Sequence, residues 1–239
     1  MKSSFDGAVL MIGSLYWDKD LKRVNWRQSD MNIEHKQYVT APIRYGRISG
    51  SGRKNTHTMV FSSLCYQEGL GTAVLVPLKE PVSNASELLS KAANLWHAEK
   101  SASQVESLEI SSGWGAVGLL VNPECNLPEE FIDEWKQHYR NQNSKPRIQL
   151  AAGETPIITA DGILQLSWPT DIDIGNFVDL DFILATAIEP NPNDGEYPSA
   201  QKIAEIYKEN KYTEYFDNNR ANGITTFQDE EIEKYLESL

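Results

Sequence analysis

The chain has 239 residues and a formal net charge of −12 at pH 7, which is enough length for one or two domains with a full core. The charge is uneven, since residues 1–151 carry a net +1 and residues 152–239 a net −13. The acidic last third offers no basic patch to phosphates, so we expect neither nucleic acid nor an anionic membrane as a partner.

The apolar run at Gly7–Trp17 lacks the marks of a signal peptide, because Asp18-Lys19-Asp20 follows it instead of a small-residue cleavage site. No other run approaches the ~18 apolar residues of a membrane span. Cys65 and Cys125 form neither a metal-ligand spacing nor a disulfide framework, which indicates a reducing compartment. We therefore expect a soluble, cytoplasmic protein.

Strand patterns dominate the first 121 residues. The predicted strands are Ala8–Ile12, Tyr38–Ile48, Thr56–Ser62, Gly71–Pro77 and Gly115–Val121. The small-residue turn Gly50-Ser51-Gly52 predicts a hairpin loop between the second and third of these strands.

Two helices are predicted among these strands. The first covers Ser86–Lys100, where Asn84 followed by Glu87 three residues later is typical of a capping box. The second covers Pro128–Arg140 and begins with a proline, which is favoured in the first turn.

Beyond Asn141 the pattern predicts further strands and then two amphipathic helices. The strands are Arg147–Ala151, Gly162–Trp168 and Phe177–Ile188, and the helices lie near Ser199–Asn210 and Asp229–Leu239. Many strands with few helices favour an α+β fold, most simply a small mixed β-barrel with flanking helices. We expect a barrel domain at residues 1–145, followed by an acidic C-terminal extension or subdomain at residues 146–239.

The junction after the first predicted strand is the first candidate for a functional site. A buried strand that ends on Gly13-Ser14-Leu15 can turn sharply and present several backbone N–H groups to one small anion.

A glutamate near the end of the first predicted helix is the second candidate. Eleven residues at ~100° each return almost to the starting direction, so Glu99 points where Leu88 points, toward the core. Burial on that face and the negative end of the helix dipole both disfavour a lone carboxylate, which suits a group that transfers protons. The alternative is that the helix ends at Ala98 and leaves Glu99 in solvent.

The segment Ile12-Gly13-Ser14-Leu15-Tyr16-Trp17 resembles the Tyr-Gly-Ser-Leu-hydrophobic-Trp motif of the γ-glutamylcyclotransferase-like family, most closely its ChaC-type branch. The order of later segments is also similar, with Ile43-Arg44-Tyr45-Gly46-Arg47, a turn holding Arg53, and a helix ending in Leu95-Trp96-His97-Ala98-Glu99-Lys100. Ile12 stands where the family has tyrosine. The resemblance covers roughly residues 8–121, and the acidic last third has no counterpart in it.

The resemblance implies an enzyme that releases 5-oxoproline and an amine or amino acid from a small-molecule γ-glutamyl substrate. It implies that Glu99 is the catalytic acid and base, and that Gly13, Ser14 and Leu15 bind the substrate. Arg53 is predicted to pair with a carboxylate on the departing group. No cofactor and no metal are implied, and His35, His97 and His138 form no ligand spacing.

Several alternatives stay open in the sequence. The chain could be a non-catalytic binding module on the same fold, with Pro190–Gly195 as a docking loop. Cys65 with His57 could form a nucleophile and base, although a buried small side chain is the simpler interpretation of Cys65. Acidic pairs at Asp171/Asp173 and Asp179/Asp181 could bind a cation, although solvated surface is more usual. If the acidic third surrounds the pocket, a cationic leaving group is favoured.

Overall fold

The computed structural model describes residues 2–100, 108–125, 127–147, 149–171, 180–192 and 194–238. The strands within these ranges are β1 Asp6–Met11, β2 Gln37–Ala41, β3 Ile43–Ile48, β4 His57–Phe61, β5 Gly71–Pro77, β6 Ser111–Ser112, β7 Gly115–Val121 and β8 Leu180–Ile188. The helices are α1 Ser14–Trp17, α2 Leu21–Asp30, α3 Cys65–Glu68, α4 Ala85–Lys100, α5 Glu129–Arg140, α6 Ala200–Glu209, α7 Glu214–Ala221 and α8 Asp229–Ser238. None of these helices combines the length and hydropathy needed to cross a bilayer.

The described strands form one mixed sheet and one separate hairpin. Six strands follow the order β2-β5-β1-β8-β7-β6, in which only β1 and β8 run parallel. The antiparallel pair β3–β4 stands apart, joined by the predicted turn at residues 50–52. This is the predicted α+β class, but the predicted barrel is wrong, because these strands do not close on themselves.

Pro42 explains why one predicted strand became two. The expected strand Tyr38–Ile48 is divided into β2 and β3 at this residue, which has no N–H to donate to a neighbouring strand. β2 pairs with β5, while β3 leaves the sheet and pairs with β4. The hairpin therefore lies beside the sheet as a separate layer, and a pocket is formed between the two.

Strand β8 joins the acidic last third to the rest of the protein. It lies between β1 and β7 in the centre of the sheet, and its nine residues are buried except at the final Ile188. A strand covered on both faces is typically a near-continuous apolar run, and this one is apolar except at Asp181 and Thr186. The boundary predicted between residues 145 and 146 therefore does not coincide with a break in the sheet.

The four predicted helices are present in the structure as α4, α5, α6 and α8. Asn84 caps α4 by accepting a hydrogen bond from the Glu87 backbone N–H at 2.9 Å, and Glu87 accepts one from the Ser83 backbone N–H at 2.7 Å. Asn84 is therefore the N-cap as predicted, while Glu87 reaches back to the backbone N–H of the residue before the cap and not to that of the cap residue itself, which the predicted capping box requires. Helices α5, α6 and α8 begin and end within one residue of their predicted bounds, leaving aside residue 239, which lies outside the described residues.

Two predicted strands are wrong within the described residues. Residues 147 and 149–151 form no strand, and Gly162–Trp168 contributes only isolated bridges from Ile163 and Leu164. In the second of these segments the reason is a turn at Gly162, whose φ of 78° is left-handed and whose N–H donates to the Thr159 carbonyl. The first three residues of the predicted strand Phe177–Ile188 lie outside the described part of the chain.

Candidate active site

A small pocket with a cavity volume of about 50 Å³ lies at the end of β1, between the sheet and the β3–β4 hairpin. It brings together all five predicted site residues, which are Gly13, Ser14, Leu15, Arg53 and Glu99. The other residues that line it are Leu10, Met11, Ile12, Arg47, Thr58, Met59, Thr186, Ile188 and Tyr215. The loop after β1, the hairpin, the end of α4, β8 and α7 therefore converge here, and no sequence spacing predicted the contributions of β8 and α7.

The Ser14 hydroxyl is hydrogen-bonded to two guanidinium groups. Its hydroxyl oxygen accepts a hydrogen bond from Arg23 Nη1 at 2.7 Å and a second, short one from Arg53 Nη2. A serine hydroxyl has two acceptor positions and one hydrogen. Both acceptor positions of Ser14 are occupied by these cations, so its own hydrogen is left to donate to a bound ligand.

Arg23 fastens the end of α4 to the loop after β1. Besides Ser14 it donates to the carbonyl of Ala98 at 3.3 Å, to the carbonyl of Glu99 at 3.2 Å and to Asp18 Oδ2 at 3.0 Å. The last carbonyls of a helix have no partner within the helix, and a buried cation is well suited to them. Sequence analysis missed Arg23, because α2 is a mostly polar segment without an apolar stripe.

The Glu99 side chain lies in the last turn of α4, which continues to Lys100, so the helix does not end at Ala98. The side chain is only 12 % exposed, and its Oε1 is 3.9 Å from Arg23 Nη2. Arg47 also interacts with it: burial lowers the pKa of Arg47, and the attraction of Glu99 partly opposes this effect. The side chain is thus mostly shielded from water, as predicted, but it faces two cations that the sequence did not predict.

Gly13 is required for a different reason from the one predicted. Its φ of 173° is extended backbone that any residue can adopt, so the turn itself does not need glycine. A Cβ atom at this position would instead lie 2.4 Å from the hydroxyl oxygen of Tyr215. The glycine therefore makes room for a side chain that α7 brings to the pocket.

Tyr215 forms one wall of the pocket. Its hydroxyl oxygen accepts a hydrogen bond from the backbone N–H of Met59 at 3.3 Å, and the guanidinium of Arg53 lies 4.9 Å from its ring centre. Trp17 packs on the same ring at 6.0 Å between ring centres. Burial raises the pKa of Tyr215, and the neighbouring Arg53 opposes this effect. The phenol therefore stays protonated near neutral pH.

The charged residues that line the pocket are Arg47, Arg53 and Glu99. The last third of the chain contributes Thr186, Ile188 and Tyr215 to the lining, all of them uncharged. The acidic surplus does not surround the pocket among the described lining residues, so the condition that favoured a cationic leaving group is not met. The arginine side chains favour anionic groups instead.

The competing Cys65 and His57 pair lies outside this lining. Burial raises the pKa of the Cys65 thiol to about 12 and lowers the pKa of His57 to about 4. A thiol with so high a pKa is not the thiolate that nucleophilic catalysis needs. The structure favours the interpretation of Cys65 as a small buried side chain.

The proposed acidic pairs are only partly within the described residues, because Asp173 and Asp179 lie outside them. Of the two described members, Asp171 accepts a hydrogen bond from the Thr40 backbone N–H at 2.7 Å, and the buried Asp181 accepts hydrogen bonds from Lys2 Nζ and from the Asp6 backbone N–H, each at 2.6 Å. Across the described ranges, no group of three or more His, Cys, Asp and Glu side chains is placed to hold a metal ion.

Comparison of the chain with family models, with curated proteins and with solved structures gave no match. The resemblance to γ-glutamylcyclotransferases therefore depends on the short motifs given above and on the residues that the pocket gathers.

Proposed function

We propose that this chain is a γ-glutamylcyclotransferase-type enzyme, which releases 5-oxoproline and an amine or amino acid from a γ-glutamyl compound. We also propose that its sheet and hairpin are a variant of the fold of that family. The observation that supports the proposal is that Glu99 and Gly13-Ser14-Leu15, far apart in the sequence, line one pocket. Those are the residues that the resemblance assigns to proton transfer and to substrate binding.

The reaction uses a nucleophile that belongs to the substrate. The α-amino nitrogen attacks the γ-carbonyl carbon, a C–N bond forms, and the electron pair of the C=O bond moves to the oxygen. The oxygen then re-forms the double bond, and the C–N bond to the leaving group breaks. Two protons pass from the α-ammonium to the departing nitrogen, so the atoms balance without water. The protein has to orient the chain and move these protons.

Glu99 is suited to the proton transfers, because its side chain is mostly shielded from water yet reaches the pocket. It takes a proton from the α-ammonium and delivers it to the leaving nitrogen. Arg23 and Arg47 stabilise the carboxylate form of Glu99, which is present before the proton is taken up and again after it is delivered, since both are cations that interact with it.

The cationic side of the pocket is suited to the carboxylates of the substrate. Arg53 is anchored on Ser14, and the hydrogen of the Ser14 hydroxyl is left to donate. The α-carboxylate binds at this side, with the backbone N–H groups of Ser14 and Leu15 beside it. In this arrangement Arg47, and not Arg53 as expected from the sequence, is placed to attract a second carboxylate on the leaving group.

The test is an assay for 5-oxoproline by mass spectrometry with the purified chain and a panel of γ-glutamyl compounds. The panel contains glutathione, γ-glutamylglycine and γ-glutamylputrescine, with α-glutamylglycine as the matched control that cannot release glycine by this reaction. We expect product from the compounds whose leaving group bears a carboxylate, and none from the control.

The alternative of a binding module predicts a different result in the same samples. It predicts no 5-oxoproline from any compound, together with saturable binding of γ-glutamylglycine in calorimetry. That combination of results would show that the chain is a binding protein and not an enzyme of this class. The positions of the residues around the pocket would not be affected by that conclusion.

A further inference from the structure

The hydroxyl of Tyr215 has its acceptor role occupied and its donor role open. The backbone N–H of Met59 donates to its oxygen at 3.3 Å. The Asn219 side chain also donates toward this oxygen, so the partners that the described residues supply to the hydroxyl are donors, and its hydrogen is left over. A buried phenol that is left with a free hydrogen at the wall of a pocket is placed to donate to whatever binds there.

This hydroxyl lies beside the loop that holds Ser14. The 2.4 Å separation from a Cβ at Gly13 places the Tyr215 oxygen against the backbone of that residue. Arg53 links the two hydroxyl groups, since it donates to Ser14 and lies over the ring of Tyr215. Two hydroxyl hydrogens, one from each end of the chain, are therefore available on either side of Gly13.

We propose that Tyr215 is a catalytic residue, whose hydroxyl donates a hydrogen bond to the γ-carbonyl oxygen as that oxygen becomes negative. The proposal rests on the proposed function. Donors that are already oriented stabilise a developing oxyanion most effectively where water is excluded, and Tyr215 is 3 % exposed. Its ring is held by Arg53 and Trp17, so the donor does not have to be ordered when the substrate binds.

Tyr215 keeps its proton throughout the reaction. Its pKa is raised, chiefly by burial, so the phenol donates a hydrogen bond and does not transfer the proton. The two proton transfers remain with Glu99, and the balance of the reaction is unchanged. The acidic last third of the chain therefore supplies a functional group to the active site through α7.

The test compares Y215F with Y207F. Phenylalanine at 215 keeps the ring that packs on Arg53 and Trp17 and removes only the hydroxyl. Tyr207 is the matched control, because it is also buried and donates its hydrogen to the His57 carbonyl at 2.7 Å, outside the pocket lining. We expect Y215F to lower kcat by roughly 10²–10³-fold with KM within about threefold. Y207F is expected to lower the melting temperature and leave kcat unchanged.

An unchanged kcat in Y215F would overturn the proposal, and so would a loss of kcat in both variants that follows their loss of melting temperature. If the parent releases no 5-oxoproline, the proposed function fails. In that case, calorimetric binding of 5-oxoproline to the parent and to Y215F tests whether the Tyr215 hydroxyl donates to a bound ligand. Binding that is at least tenfold weaker in Y215F than in the parent supports the hydroxyl as a ligand donor. Equal binding, or none in the parent, overturns it.

Discussion

Gly13 and Tyr215 come from opposite ends of the chain and meet so closely that a single added methyl group would overlap the tyrosine hydroxyl. The separation between an ideal Cβ at Gly13 and the Tyr215 oxygen is 2.4 Å, and the next nearest atom, Cζ, is at 3.4 Å. The contact therefore depends almost entirely on the hydroxyl oxygen. The contact joins the loop after β1 to α7. A substitution at either Gly13 or Tyr215 is therefore expected to change how the other residue packs.

The first prediction is that Y215F rescues G13A. G13A alone is expected to lower the free energy of unfolding by about 1–3 kcal/mol, because overpacking shifts the loop or the ring. In the Y215F background the same substitution should cost much less, since only the Cζ contact remains. Urea denaturation measures both differences. G50A is the control, because no atom lies within 4 Å of a Cβ there. Equal costs of G13A in both backgrounds would contradict the contact.

The second prediction concerns Glu99. E99Q keeps the size of the side chain and should lower turnover by roughly 10²-fold or more, the usual effect of losing a positioned general base. It should also lower the melting temperature, because Arg23, 3.9 Å away and buried, loses a counter-charge. The control is E109Q, since Glu109 is half-buried and pairs with Lys100 at 2.9 Å outside the pocket lining. Parent-like turnover in E99Q would exclude the catalytic role.

The third prediction concerns the link between Arg23 and Glu99. A double-mutant cycle with R23Q and E99Q should give a coupling of about 0.5–3 kcal/mol in the free energy of unfolding, because the two groups share one buried site. The exposed pair Arg140–Asp161, whose side chains are 57 % and 34 % exposed, should give a smaller coupling in the same experiment. Additive effects of R23Q and E99Q would mean that Arg23 acts on the loop alone.

The fourth prediction concerns pH. Burial raises the pKa of Asp229 to about 6, against an ordinary value of 3.8. The stabilisation that comes from the protonated carboxyl is fully present below the ordinary value and is lost as the pH rises through about 6. D229N keeps an oxygen for the two hydrogen bonds from Thr226 and removes the titration. It should therefore raise the melting temperature at pH 7–8, and this gain should shrink as the pH falls from 6 to 4.

The control for Asp229 is D217N, because Asp217 is exposed and accepts a similar hydrogen bond from Thr213. The effect of D217N on the melting temperature, measured over the same pH range, gives the contribution of an exposed carboxyl to which the effect of D229N is compared. A gain from D229N that is independent of pH would show that the carboxyl does not titrate between 4 and 6.

Local patterns predicted many of the elements that surround the pocket. The N-cap at Asn84 and the helical spacing of α4 depend only on neighbours along the chain, and both are confirmed. The same patterns failed at α2 and at Gly162. In α2 the helix is stabilised by Asp20, which accepts hydrogen bonds from the Lys22 and Arg23 backbone N–H groups, and by Arg23 packing in the interior, not by an apolar stripe. At Gly162 a turn prevents the strand pairing that the apolar residues after it, up to Trp168, favour.

The sequence by itself determined that Glu99 lies on the buried face of its helix, because the helical period is a local property of the backbone. It also placed a Gly-Ser turn directly after a buried strand. Only the tertiary structure decided that Arg23, Arg47 and Tyr215 meet at these residues. Their contacts join segments that are far apart in the chain, and the positions of those segments are set by the packing of the hairpin against the sheet and of the C-terminal helices against α1 and the hairpin. A periodic sequence pattern does not predict contacts of this kind, since the packing of two segments depends on the shapes of both surfaces.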